Sequence, residues 1–246
     1  MSFFFPFIIS FVAGFATVLG TIPIFFKWSR EGINKFITLS LALSLTIMIG
    51  ISVTELIPEA SFYILTEYKI VKGTCISIMV FVLSIMLMLI LSKKINKKEK
   101  GLYYIGILSM ITLIIHNLPE GIITFFSAQK STSLGIKICL AILLHNIPEG
   151  ISIAIPIYFS TGNKKKAIFY TIISGLAEPA GAILAYLILQ KTITNAIIGC
   201  ILIIASGLMI TLSIHDLLPK SKSYHEEKAL VTGIIIGLIF IIIGYL

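Results

Sequence analysis

Eight apolar stretches, each long enough to cross a bilayer, constrain this chain more than any other feature. They are Phe3–Phe26, Phe36–Pro58, Gly73–Ser92, Leu102–Ala128, Ile138–Ser160, Ala167–Leu189, Thr192–Leu217 and Ala229–Leu246. About 20 apolar residues span the hydrocarbon core as an α-helix. Lipid offers the backbone no hydrogen-bond partners, so spanning segments are restricted to helices and closed barrels. Stretches of this length predict an all-α membrane protein with eight transmembrane helices. All nineteen Lys and Arg fall outside them, as lipid-exposed segments require. Only 12% of the chain is charged, against about 25% in soluble domains. The connections are short, so residues 1–246 read as one integral membrane domain.

The connecting segments set an orientation. Those after the odd-numbered spans hold fourteen Lys and Arg, including the Lys93–Lys100 run; those on the other side hold five, Lys69, Lys72, Lys130, Lys137 and Lys191. Basic residues gather on the cytoplasmic side. Both termini are therefore expected outside the cytoplasm, in a multi-pass protein of the cell membrane. The same rule explains the net charge of +8 without a nucleic-acid partner; the partner it implies is the lipid bilayer. The first stretch lacks a basic leader and a convincing cleavage site, so it reads as a retained helix. Cys75, Cys139 and Cys200 are isolated, with no paired spacing.

Against this apolar background one hexapeptide occurs twice: His116-Asn117-Leu118-Pro119-Glu120-Gly121 in the fourth span and His145-Asn146-Ile147-Pro148-Glu149-Gly150 in the fifth. Glu178-Pro179 lies near the middle of the sixth. An ionisable side chain at that depth costs about 2.5–3.5 kcal/mol on insertion scales and is a functional candidate by default. No Lys or Arg in any span can neutralise these carboxylates, so they either hold protons or surround a cation. The donor set favours the cation. His116 and Glu120 are four apart on one helix face, as are His145 and Glu149. Imidazole and carboxylate together suit Zn, Fe, Mn, Co or Ni rather than alkali ions. Asn117 and Asn146 read equally as ligands or as interhelical hydrogen-bond donors.

Pro119, Pro148 and Pro179 each remove a helix hydrogen bond and free the carbonyl one turn back, on Ile115, Leu144 and Gly175. Such groups are tolerated at this depth only against protein or a wet cavity. Gly121, Gly150, Gly175 and Gly181 would permit close helix approach. The fourth and fifth spans run in opposite directions, and the end of the second, Val53–Ala60, weakly echoes that of the seventh, Ser213–Lys220. Related segments of opposite direction mark inverted repeats, which in transporters frame a midplane site. Glu55 and Glu59 mark one end of the second span, and His215 and Asp216 the opposite end of the seventh.

The whole chain resembles the ZIP (Zrt/Irt-like) family of divalent metal transporters, particularly its bacterial zinc-uptake branch. The resemblance rests on the two HN-x-PEG motifs, on Ser174–Pro179 and on Thr54–Ala60. It implies a two-metal centre. His116, Glu120, His145 and Glu149 would form the main site; Asn117, Asn146 and Glu178 would form its neighbour, with Glu120 and Glu149 placed to bridge. It also implies a homodimer, no prosthetic group, and Zn2+ as cargo ahead of Fe2+ and Mn2+. Two departures stand out: Ser92–Gly101 has no histidine, and the seventh span ends His215-Asp216-Leu217-Leu218-Pro219-Lys220 rather than in an acidic PEA-like pattern. The alternative from another class is an intramembrane metal-dependent hydrolase using a His/Glu-bound zinc to activate water. No HExxH occurs, and no nucleophile is paired with a spare base.

Overall fold

The computed structural model describes residues 3–27, 29–94, 101–187 and 194–245. Lys97, Lys98, Lys100 and Lys191 lie outside them. So do a few side chains within helices, that of His145 among them.

The described residues form eight helical rods. α1 is Phe4–Leu19, extended by a 3-10 turn at Ile22–Phe25. α2 comprises Arg30–Ile51, a π-helical turn Ser52–Leu56 and Ile57–Glu67. α3 is Ile70–Lys94, α4 Leu102–Lys130 and α5 Thr132–Thr161. α6 comprises Lys164–Gly175 and Ala177–Leu187. α7 comprises Asn195–Leu212, a π-helical turn Ser213–Leu217 and Leu218–Lys222. α8 is Glu227–Tyr245. Six rods are long and apolar enough to cross a membrane. The other two, α5 and α8, are helices of 30 and 19 residues, compatible with eight spans. α2 and α7 run further than hydropathy suggests. Glu55, Glu59, His215 and Asp216 therefore lie within their rods, not at the ends.

Side-chain chemistry sets several rod boundaries. Ser29, Asn163 and Thr194 accept from the backbone N–H groups of Gly32, Lys166 and Ile197 at 3.0, 3.0 and 3.3 Å, satisfying donors that a helix start leaves orphaned. Inside the rods, buried hydroxyls bond back to the preceding turn. Ser52 donates to Met48 O at 2.7 Å and Thr46 to Ala42 O at 2.8 Å, so these polar groups are tolerable in an apolar setting. Pro179 explains the break in α6. It lacks an N–H and cannot bond to the carbonyl of Gly175, and the helix stops at Gly175 and restarts at Ala177.

The rods sort into two units. α1, α4, α5 and α6 all pack on one another, while α2 packs on α7 and α8, and α3 on α7. The units meet where α2 lies on α5 and α4 on α7.

One internal symmetry generates this arrangement. A single sequence offset carries Gly14 to Gly175, Thr17 to Glu178 and Ser52 to Ser213; a second carries His116 to His145 and Gly121 to Gly150. The contacts follow these offsets. A Cβ on Gly121 would meet the carbonyl oxygen of Glu178, and one on Gly150 would meet that of Thr17. The packing pairs α2–α8 and α7–α3 correspond, as do α1–α5 and α6–α4. The weak echo between α2 and α7 is therefore real, in a register one residue from the one the sequence suggested. Met48-Ile49 and Ser52 match Met209-Ile210 and Ser213, and each serine opens a π turn that leads into a proline, Pro58 or Pro219.

Candidate metal centre

The two HN-x-PEG motifs meet where α4 and α5 cross. His116 is fully buried, with Nε2 3.2 Å from Glu120 Oε1 on its own helix and 3.5 Å from Glu149 Oε1 on α5. The spacing of four stacks His116 on Glu120, and the crossing brings in Glu149. Glu120 is 4% exposed; Glu149 and Glu178 are 0%. Water therefore screens these acids little, and their neighbours set their charge. His145 follows on α5, but its side chain lies outside the described set. Among the described residues, no three His, Cys, Asp or Glu side chains form a group arranged to hold a metal as they stand.

The asparagines are anchored by their amide nitrogens. Asn146 Nδ2 donates to Ala13 O of α1 at 2.9 Å and also to Glu178 Oε1 of α6. Its mirror mate, Asn117, donates to Ser174 O of α6 at 3.4 Å. These bonds join helices, and a carbonyl acceptor fixes which way each amide faces. The amide oxygens Asn117 Oδ1 and Asn146 Oδ1, together with Glu178 Oε2, are then buried with no hydrogen-bond partner among the described residues. Leaving such an atom unpaired costs about 1–3 kcal/mol. An array of oxygen acceptors with spare lone pairs suits a hard or borderline cation.

Prolines and glycines shape the helix contacts around these residues. Pro119 and Pro148 lie inside α4 and α5. Ser44 of α2 donates to Pro148 O at 2.8 Å, so the second unit touches α5 directly at this proline. Gly121, Gly150, Gly175 and Gly181 all face neighbouring backbone where a Cβ could not fit.

The peripheral candidates flank this cluster. Glu59 is hydrogen-bonded to Tyr63 and close enough to Glu55 and Glu120 for their charges to bear on it. In the π turn of α7, His215 Nδ1 is 3.2 Å from Asp216 Oδ2. Ser92 of α3 donates to Asp216 Oδ1 at 3.3 Å, and Tyr104 of α4 donates to Ser92 Oγ at 2.8 Å. His215 and Asp216 border a cavity of about 230 Å³ together with Tyr104, Pro219 and Lys220. Two residues of the buried region escaped the sequence reading, Ser44 and Thr17. A signal for Thr17 existed in the shared Gly-x-Ala of Gly14-Phe15-Ala16-Thr17 and Gly175-Leu176-Ala177-Glu178.

Comparison with known proteins places this chain in a family. The family model described as ZIP Zinc transporter matches residues 91–246. The chain is 33% identical to the zinc transporter ZupT of Clostridium perfringens, covering 98% of this chain and 94% of that protein. It is 34% identical to the zinc transporter ZupT of Streptococcus mutans, over 99% and 97%. The chain belongs to the ZIP family. As a ZIP protein it is a multi-pass membrane transporter and not an enzyme, and the hydrolase alternative is not favoured. Both HN-x-PEG motifs fall within the matched region of this ZIP chain, as does Glu178.

Proposed function

We propose that this ZIP chain carries divalent metal ions, Zn2+ foremost, across the cell membrane into the cytosol. In this reading residues 1–246 act as a single transport domain with both termini outside. His116, Glu120, His145 and Glu149 hold the principal ion, Asn117, Asn146 and Glu178 hold its neighbour, and Glu120 and Glu149 lie between the two. The observation that carries this reading is the burial of Glu120, Glu149 and Glu178 in helices whose apolar stretches contain no Lys or Arg. Buried carboxylates at a depth with no Lys or Arg call for a cation or a proton, and the nitrogen donor of His116 selects a borderline metal over an alkali ion. The relatives' printed names, both zinc transporters, point the same way.

Transport requires the site to face each side in turn. All seven candidate ligands belong to the α1–α4–α5–α6 unit, while the other unit meets it chiefly through two mirror-related interfaces, α2 on α5 and α7 on α4. Rocking or sliding of one unit against the other, with the ligands fixed, gives alternating access. Fe2+ and Mn2+ compete for the same donors, and affinity in such sites rises toward zinc.

Saturable uptake of radiolabelled zinc into proteoliposomes, compared for the parent, Glu149→Ala and His145→Ala, tests the reading. Uptake by the parent that both variants abolish is expected. Zinc binding without flux in the parent would overturn it.

A further inference from the structure

The mirror symmetry of the centre is broken where α6 carries Glu178, and the break exposes a residue outside the HN-x-PEG motifs. Glu178 of α6 sits beside Asn146, the α5 asparagine anchored on Ala13 O of α1. Applying both offsets gives Asn117 of α4, anchored on Ser174 O of α6, with Thr17 of α1 in the place of Glu178. The backbone agrees: Gly150 packs on the carbonyl of Thr17 as Gly121 packs on that of Glu178. The side chains also start from matching points. A Cβ on Gly14 would lie 3.1 Å from Glu178 Cβ, and one on Gly175 would lie 3.4 Å from Thr17 Cβ.

Thr17 is 0% exposed. Its Oγ1 has no hydrogen-bond partner among the described residues, and neither has Asn117 Oδ1. A threonine in an apolar helix ordinarily satisfies its hydroxyl on the carbonyl three or four residues back. Thr46, Thr171 and Thr211 do so, at 2.8, 2.9 and 2.6 Å; Thr17 does not. Asn117 Oδ1 and Thr17 Oγ1 on one side thus answer Asn146 Oδ1 and Glu178 Oε2 on the other.

We propose that Thr17 is an additional oxygen donor to the neighbouring ion of the metal centre, mirroring Glu178 and acting beside Asn117. This rests on the transport reading above and deepens it. The two halves of the centre then differ in charge: α6 offers a carboxylate and α1 a neutral hydroxyl. A neutral donor holds a divalent ion more loosely than a second carboxylate would, which favours release from that side.

Zinc titration of the purified full chain in detergent, read by calorimetry, tests the proposal alongside zinc uptake into proteoliposomes. The parent is expected to bind two ions. Thr17→Val, of matching shape without the hydroxyl, weakens the looser phase about fivefold, as the loss of one polar contact implies, and raises the KM for zinc. Thr17→Ser restores most of that affinity. If valine prevents folding, Thr17→Ala against Thr17→Ser makes the same comparison. Parent-like binding and KM in Thr17→Val overturn the role of Thr17 alone, as does a serine variant weakened as much as valine. A parent that binds a single ion also overturns it. A parent that binds no zinc overturns the transport reading, and this inference with it.

Discussion

Gly14 of α1 and Gly175 of α6 cross backbone against backbone, each placed so that an added Cβ would meet the other's carbonyl oxygen. The contact is reciprocal because the two residues are mates under the internal symmetry. Gly14→Ala or Gly175→Ala forces two rigid helices apart, since neither neighbour is a flexible side-chain tip. Overpacking of this kind costs about 1–3 kcal/mol, and the thermal midpoint in detergent is expected to fall by several degrees. Gly101→Ala, with nothing within 4 Å of the new Cβ, is the control and leaves the midpoint unchanged.

Glu149 approaches His116 across the α4–α5 crossing at 3.5 Å. Glu149→Gln keeps the shape and removes the charge. Supporting changes one shell further out from a metal typically cost 10–100-fold, so loss of a direct carboxylate should lower zinc uptake by at least about tenfold. Unchanged expression and thermal midpoint, measured alongside flux, separate this from misfolding. Parent-like uptake in Glu149→Gln would remove the residue from the site.

Asn146 donates to a carbonyl and to a carboxylate at once. Asn146→Asp turns both contacts into repulsions between oxygens in metal-free protein, yet adds a better cation ligand. The metal-free variant should melt lower than the parent and gain more on zinc addition. A ligand at one hundred times its Kd adds about 2.7 kcal/mol to stability, which a thermal-shift titration resolves easily. A variant that neither loses stability without zinc nor gains more with it would refute this role.

Ser44 Oγ donates to Pro148 O at 2.8 Å, a bond between the two helical units. If the units move against each other during transport, that bond breaks and reforms in each cycle. Ser44→Ala removes about 1 kcal/mol of contact, equivalent to about a fivefold change in a rate that it limits. Turnover is expected to change while the KM for zinc does not. A shift in KM alone would place Ser44 in the binding step instead.

The amino-acid sequence by itself determined the helical architecture and named the candidate donors. Apolar stretches near 20 residues admit only helices in lipid, and the spacing of four stacks His116 on Glu120. The repeat of HN-x-PEG in oppositely running spans announced the inverted symmetry. Those features are local and periodic, so they survive in one dimension. Three others belong to the tertiary structure. The π turns at Ser52–Leu56 and Ser213–Leu217 lie within helices that hydropathy ends too early, because charged residues depress it while the backbone continues. The division into two units depends on which helix faces pack, and uniformly apolar surfaces carry little trace of their partners. Thr17 reads as an ordinary small residue in an apolar helix. The Gly-x-Ala it shares with Gly175–Ala177 is a faint trace of its equivalence to Glu178; the fold establishes that equivalence in space, by two helices far apart in the chain crossing at Gly14 and Gly175.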